Sequence, residues 1–527
     1  MAVSEGNFDL EAARRFHEVT KHSYTSVRAG DHYLDWDNEP FKFKIYPQAP
    51  EIALPRELSL SRVPTLTALE RGSAPAAPSG TLDMERLARI LFCTAGLTRT
   101  RRVGDRDYHF RAAPSAGALY PIEVYLATGS IDGVAAGLHH FSPADLKLRM
   151  LREGDWRVAI SRACAENAGV ASATCVLLLS AIFWRSAWKY RARCYRYCFW
   201  DTGTILANLT AAAAAEAIDA KIVSAFVDSE IEQLLGIDGD REGAVCLVAL
   251  NDHGSTAVPT QTSGATAPAR PAPLTLDSVP LSNGEQRYDE LVRLHCASKL
   301  RSRAETEQLF LTGLEATSDQ SEEAHQPPST GSSRTLQLSP AGVGTALGIG
   351  ETILRRGSTR IFARKPIHSD ALAAVLCAAG RHPRIDFPPL TDTYLIVNAV
   401  EGVEPGAYLH RRQSAELELL RAGELRAQAG YLCLEQSLGA DCSALICFMT
   451  DLERVIRARG NRGYRETHLE AGILAGNAYL AAYALGLGAS GLTFYDDDTS
   501  DFFTGHAKQK SPLLMVAVGI PATARTS

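Results

Sequence analysis

Apolar residues recur at helical spacing over Leu87–Ala95 and again over Leu372–Ala379. Short apolar and β-branched runs predict strands in pairs: Ile122–Ala127 with Tyr394–Val397, Cys175–Ser180 with Leu445–Met449, and Val245–Leu250 with Leu513–Val518. Between them, Thr202–Ala217 and Ala471–Leu485 are rich in alanine and apolar on nearly every face, which predicts buried helices. Helices mixed with a few strands predict an α+β fold, and each element occurs twice.

The pairing is a repeat in register. Cys194-Tyr195-Arg196 matches Gly463-Tyr464-Arg465 at an offset of 269 residues. The same offset carries Gly203 onto Gly472, Asn208 onto Asn477, Ala220 onto Ala489 and Asp228 onto Asp497. Backwards, it carries Pro114 onto Pro383, Tyr125 onto Tyr394, Gly133-Val134 onto Gly402-Val403 and Gly137 onto Gly406. Earlier still, Arg71-Gly72-Ser73 matches Arg356-Gly357-Ser358 at an offset of 285, so the first copy carries 16 extra residues around Thr98–Phe110. Two copies of one fold on one chain predict a covalent pseudo-dimer, a monomer in solution. The stretch Gly254–Ser282, dominated by Thr, Ala, Pro, Ser and Gly, predicts a linker, and Gln326–Ser333 a second break. The chain then divides into an N-terminal extension (1–69), a first domain (70–253), a Pro/Ala/Thr-rich linker (254–283), a helical and loop connector (284–344) and a second domain (345–527). Asn283–Ser333 finds no counterpart in the repeat.

Composition removes several classes. The 527 residues are 46% hydrophobic and 22% charged with a net charge of -6, which gives no basic footprint for nucleic acid. The longest apolar runs, Cys175–Phe183 and Ile205–Ala215, are too short to span a membrane, and Met1–Leu10 lacks the apolar core of a signal peptide. Eleven cysteines without a CxxC pair predict reduced, mostly buried thiols and a cytoplasmic chain.

Three stretches carry candidate chemistry. In Arg355-Arg356-Gly357-Ser358-Thr359-Arg360, guanidiniums flanking a hydroxyl form a compact oxyanion clamp, against the alternative of a solvated helix surface. In Arg111–Pro121, small residues between two prolines let backbone approach a flat ligand, and the turn delivers Ser115, unless it is simply a tight loop. Leu485-Gly486-Leu487-Gly488-Ala489-Ser490-Gly491-Leu492 is a glycine-rich helix exit; it does not follow a strand as a dinucleotide fingerprint would. Cys194 and Cys198 lie one turn apart without a histidine partner, so a metal site is not expected. His139 and His140 are expected to be structural. Asp496-Asp497-Asp498 is expected to be a solvated turn or helix cap, because Asp228 recurs in the other copy.

In this order the three stretches resemble the FMN-dependent nitroreductase superfamily. Phe110–Tyr125, Gly137-Leu138-His139-His140-Phe141, Lys189-Tyr190-Arg191, Tyr195-Arg196-Tyr197 and Thr20-Lys21-His22-Ser23 resemble its SagB/ThcOx branch, the azoline dehydrogenases. The resemblance implies two tandem nitroreductase-like domains, each a central, mostly antiparallel sheet flanked by helices. It implies an interfacial FMN held by Arg356, Ser358 and Arg360 and by Ser490, Gly491, Leu492 and Thr493 of the second copy, with Pro114, Ser115 and Ala116 contributed by the first. The mirror site would join Arg71, Ser73, Pro75 and Ala217-Ile218-Asp219 with Pro383-Arg384 and Ala458-Arg459, and is degenerate, which implies one FMN per chain. Lys189 and Tyr190 are implied as the catalytic pair, Lys189 lowering the phenol's pKa so that Tyr190 acts as base; the alternative is an aromatic packing stripe beside a surface lysine. The implied activity is oxidation of an azoline-type heterocycle, small or peptide-borne, by hydride transfer to flavin. Two alternatives stay open: a nitro or enone reductase drawing on NAD(P)H, and a flavin-binding or partner-docking subunit whose sites have decayed.

Overall fold

The computed structural model describes residues 6–30, 33–74, 78–104, 106–253, 271–318, 334–340, 343, 347–503 and 509–522. The first half contains β1 (Glu51–Ala53), β2 (Leu97–Val103), β3 (Arg106–Arg111), β4 (Ile122–Thr128), β5 (Gly137–Ser142), β6 (Lys147–Glu153), β7 (Cys175–Ile182), β8 (Asp219–Val223) and β9 (Glu242–Asn251). The second contains β10 (Thr335–Gln337), β11 (Asp392–Val397), β12 (Gly406–Arg411), β13 (Glu416–Ala422), β14 (Ala444–Thr450), β15 (Gly488–Leu492) and β16 (Ser511–Gly519). Seven strands of each half form a sheet, in the orders β1-β6-β5-β4-β7-β9-β8 and β10-β13-β12-β11-β14-β16-β15. Neighbours run antiparallel in both, and the registers coincide: Tyr125 opposes Leu178 as Tyr394 opposes Cys447. The central strands are buried on both faces, which explains why they read as continuous apolar runs.

The predicted helices are present but longer. The stretch predicted from Thr202 belongs to a helix over Cys194–Ala215, and the one predicted from Ala471 to a helix over Leu452–Ala484. Their earlier turns carry Arg, Tyr, Glu and His, polar types that hide a helix buried all round. The two helices cross where Gly203 meets Gly472. A Cβ on Gly203 would lie 2.5 Å from the Gly472 carbonyl carbon, and one on Gly472 would lie 2.6 Å from the Trp200 carbonyl oxygen. Only hydrogen fits between the two backbones.

The duplication also reaches sequence outside 70–253 and 345–527. The outer strands β1 and β10 pair equivalently, on β6 and on β13. The helix Glu11–Val19 recurs as Asp289–Ala297, aligning Arg15 with Arg293, His17 with His295, Thr20 with Ser298 and Lys21 with Lys299. Arg196 donates to the His17 carbonyl and the Thr20 hydroxyl, both at 2.8 Å, and Arg465 does the same to His295 (2.8 Å) and Ser298 (2.7 Å). Part of the unplaced stretch 283–333, the helix Asp289–Ala297 and its end, is therefore the second copy of the N-terminal helix.

Buried ion pairs tie the halves together. Asp228 accepts from Arg462 at 2.9 Å and from Arg465 at 3.0 Å, across the interface. Reciprocally, Asp496 accepts from Arg193 at 2.9 Å and from Arg196 at 2.8 Å. This corrects two expectations. Asp496 is buried and ion-paired rather than solvated, and it, not Asp497, is the counterpart of Asp228. Three residues link β15 to its following helix where four link β8 to the next, so the register slips by one. All eleven cysteines are free thiols, and all but Cys296 and Cys377 are buried. His140 is buried on Glu123 at 2.7 Å and His139 on the Ala135 carbonyl at 3.1 Å, both within the sheet. Among the described residues, no helix is long and apolar enough to cross a membrane.

Candidate active site between the halves

The clamp sits where a helix of the second half ends. Ile349–Arg355 stops before Arg356, and the chain then runs beside β15, with the Thr359 amide donating to the Ala489 carbonyl at 2.9 Å. Gly488 is required here, because any Cβ would strike the Thr359 hydroxyl. Arg356 turns back across the interface: its Nε donates to the Ala112 carbonyl at 2.9 Å and its Nη2 to the Arg111 carbonyl at 3.0 Å. Ser358 bonds the Tyr479 hydroxyl, which in turn receives the Gly491 amide. Gly491 is the exposed position of β15, between buried Ser490 and Leu492, and leaves a flat stretch of strand. Thr493 follows, its hydroxyl 3.3 Å from His22 Nδ1.

The first half supplies the opposite wall. Pro114–Ala116 is held by Asp201 of the central helix, which accepts from the Ser115 hydroxyl at 2.5 Å and from the Ala116 amide at 3.0 Å. Thr204 adds a bond to the Pro114 carbonyl at 2.9 Å. Ser115 also receives the Tyr120 amide at 2.9 Å, so its hydroxyl shapes the loop. Ala116 and Tyr190 both pack against the core of the second half. Burial pushes the Asp201 carboxyl up to about 7 from 3.8, opposed by the Ser115 and Ala116 bonds. In the pH range between these values the folded chain keeps a proton that the unfolded chain releases. Stability from this group is therefore full below pH 3.8 and is lost as pH rises through about 7. Asp201→Asn is expected to flatten that part of the curve, measured as melting temperature against pH.

Lys189 and Tyr190 end the helix Phe183–Tyr190, immediately before Arg191, which takes a left-handed φ of 51°. Gly460, its counterpart, has φ 67° at the same break in the second half. Such a conformation strains a non-glycine residue and persists only where the surroundings enforce it. Both functional groups converge on Gly117: a Cβ there would lie 2.7 Å from the Tyr190 hydroxyl and 3.4 Å from Lys189 Nζ. Gly117 itself has φ +64°, so no other residue suits the position. Burial pushes the Lys189 ammonium below its ordinary value, helped by Lys42 and by Arg360 of the second half. Burial pushes the Tyr190 phenol up, with Tyr197 and Asp201 adding to it and Arg360 opposing. This corrects the expectation that Lys189 activates the phenol. Its ammonium lies over the Tyr190 ring, 5.4 Å from the centroid, and burial favours the neutral form of both groups, the free amine and the protonated phenol.

The mirror site is closed by its own chain. Arg384 pairs with Asp219, and its carbonyl accepts the Ile222 amide at 2.8 Å, where the other site presents Gly491. The Asp386 carboxylate takes the Ser224 and Ala225 amides at 2.8 and 2.9 Å. Arg459 and Glu466 form a buried ion pair at 3.0 Å where Tyr190 and Tyr197 meet edge-on at 4.6 Å in the first half. Leu300 packs against Ala225 in the place that His22 takes beside Thr493. Arg71 and Ser73 close the helix Thr65–Ser73, and Pro75 lies outside the described residues.

Asp201, Tyr479, Gly117 and His22 were not singled out as site residues in the sequence. A signal existed for Asp201: its repeat partner is Glu470, which holds the opposite loop through the Leu390 amide at 2.9 Å. His22 became legible only with the second copy of its helix in view.

Residues 78–251 and 353–520 match the nitroreductase family model. A crystal structure of a nitroreductase-type protein from Anabaena variabilis is 26% identical, with a TM-score of 0.75 over 97% of this chain and 99% of that one. A nitroreductase-type protein of Methanocaldococcus jannaschii is 29% identical over 189 residues, 36% of this chain and 90% of its own length. The trifolitoxin-processing protein of Rhizobium leguminosarum bv. trifolii is 28% identical over 185 residues, 33% of this chain and 48% of its own length, so about half of it is matched.

Proposed function

Because the chain belongs to the nitroreductase family, we propose that its one complete site holds FMN and oxidises an azoline-type ring carried on a peptide. The observation that carries this reading is the convergence of Lys189 and Tyr190 on Gly117, with Arg360 of the other half acting on both electrostatically. The matching corner of the mirror site holds an inert Arg459–Glu466 pair instead.

The residues fit the cofactor. Arg356 and Arg360 would hold a phosphate, Ser358 and Tyr479 a polyol chain, and the strand Ser490–Thr493 with its exposed Gly491 the edge of a flat ring, faced by Pro114–Ala116. Bound FMN supplies a two-electron acceptor for hydride. The chain supplies the proton chemistry: Lys189 Nζ, depressed by burial and two neighbouring cations, takes the proton from the ring atom adjacent to the hydride-donating carbon. The Tyr190 hydroxyl, kept protonated by burial, donates a hydrogen bond to the ring heteroatom and orients it. The match to a trifolitoxin-processing protein supports a peptide as carrier of the ring. A reductase of nitro or enone compounds would need no such base.

Flavin reduction in a single turnover tests this, using an azoline-containing peptide and NADPH separately. The proposal expects fast reduction by the azoline, with a rate that rises with pH to an apparent pKa below 10.5. Fast reduction by NADPH alone would favour the reductase.

The clamp has its own test. Arg356→Ala removes a charge-assisted contact to phosphate, and FMN affinity is expected to fall about tenfold to a hundredfold. Arg71→Ala, in the closed site, is expected to leave affinity unchanged by equilibrium dialysis. Equal losses would mean that both sites bind.

A further inference from the structure

We infer that the hairpin β2–β3 docks an acidic, extended segment of the peptide substrate, which adds as a strand beside β2 and leads its ring to Lys189. This rests on the reading that the ring is peptide-borne.

The hairpin is the insertion that distinguishes the first copy from the second, and the sheets close identically without it. It stands at the complete site: its base, Arg111 and Ala112, receives Arg356 of the clamp, and the Ala112 amide closes it on the Gly96 carbonyl at 2.9 Å. Its two strands pair only with each other, and Arg99–Gly104 is exposed, so a backbone edge is open to pairing. Charges alone can blunt such an edge, but here they are organised. Residues 97–111 carry five arginines against two aspartates in a chain of net charge -6.

The register places Arg99 opposite Phe110, Arg101 opposite Tyr108 and Val103 opposite Arg106, so one face alternates guanidinium with apolar ring and aliphatic groups. Arg99 lies over the Phe110 ring at 4.7 Å. The cationic track continues inward through Lys42, which sits over Tyr108 at 6.0 Å and acts on Lys189 electrostatically. The acids beside it are Glu39, which pairs with Lys42 at 3.3 Å and approaches Arg106 at 3.9 Å, and Asp107, opposite Arg102. Arg99 and Arg101 remain for an acidic partner. Alternating acidic and apolar side chains on an added strand would meet this face in register.

The test measures binding of a fluorescein-labelled peptide alternating glutamate with valine to the FMN-loaded chain. Its controls are a lysine–valine twin and a twin with prolines at alternate valines. The inference expects the glutamate peptide to bind more tightly than the lysine twin, with affinity falling as salt rises. It expects R101E, which reverses a guanidinium on the docking face, to weaken binding by about fivefold or more, with flavin content and turnover of a short, uncharged azoline unchanged. The proline twin should not bind. Equal binding of glutamate and lysine peptides, no effect of R101E, a proline twin that binds as well, or displacement by inorganic polyphosphate as effective as by peptide would each overturn it. Because turnover of the short azoline is read separately, a failed docking surface and a failed catalytic reading give different results.

Discussion

Lys189→Met is expected to lower turnover of an azoline by about a hundredfold or more, the amount that a positioned general base supplies, while FMN stays bound. Methionine keeps the length of the side chain and removes only the amine. Tyr190→Phe removes only a hydroxyl from a partly buried ring that packs edge-on against Tyr197 at 4.6 Å, so the fold and flavin site are expected to persist. It is expected to slow turnover as well. Together the two changes should cost less than their separate effects combined, because both groups act at one spot beside Gly117. Lys42→Ala provides a finer check, since Lys42 is one of the cations holding the Lys189 ammonium down. Without it, the alkaline rise of the rate should shift to higher pH with little change at its plateau. Stopped-flow flavin reduction across pH measures all four. Wild-type rates in both Lys189→Met and Tyr190→Phe would return the pair to a packing role.

Asp228→Ala is expected to destabilise the chain by about 3–5 kcal/mol, because it leaves Arg462 and Arg465 buried without their anion. Asp496→Ala should cost a similar amount, stranding Arg193 and Arg196 and releasing the His22 amide, which Asp496 accepts at 2.8 Å. Asp497→Ala is the internal control. That carboxylate is exposed and pairs with Lys21 at 2.9 Å, so its loss is expected to stay within about 0.5 kcal/mol. Urea unfolding of the three variants measures the contrast. If Asp496→Ala and Asp497→Ala behave alike, the cross-interface ion pairs do not hold the halves together.

The contrast between Asp496 and Asp497 also marks how far the sequence could be read. Strands buried on both faces announce themselves as apolar runs, and a fixed offset over Pro114 to Ala220 exposes a repeat without any structure. The offset cannot register a one-residue slip in a loop, which is why Asp228 aligned with Asp497. It also missed the helix Asp289–Ala297, whose likeness to Glu11–Val19 survives mainly where arginines from the central helices bind its end. The Arg356–Arg360 and Pro114–Ala116 stretches stood out in the sequence because glycine and proline mark backbone demands; that they face each other across the interface needed the fold. The direction of the Lys189 and Tyr190 titrations was not. It depends on desolvation and on Lys42 and Arg360, which lie far off in sequence. Closure of the mirror site was half legible: Asp219 and Arg384 were visible as departures, but their pairing with each other needed the fold.

The central claim is that two half-sites make one working site, with the other filled by Arg384, Asp386 and Leu300. Counting flavin tests it most directly: the chain is saturated with FMN, freed of excess, denatured, and its released FMN measured against protein. One equivalent per chain is the expected result. Two equivalents, or none, would contradict it.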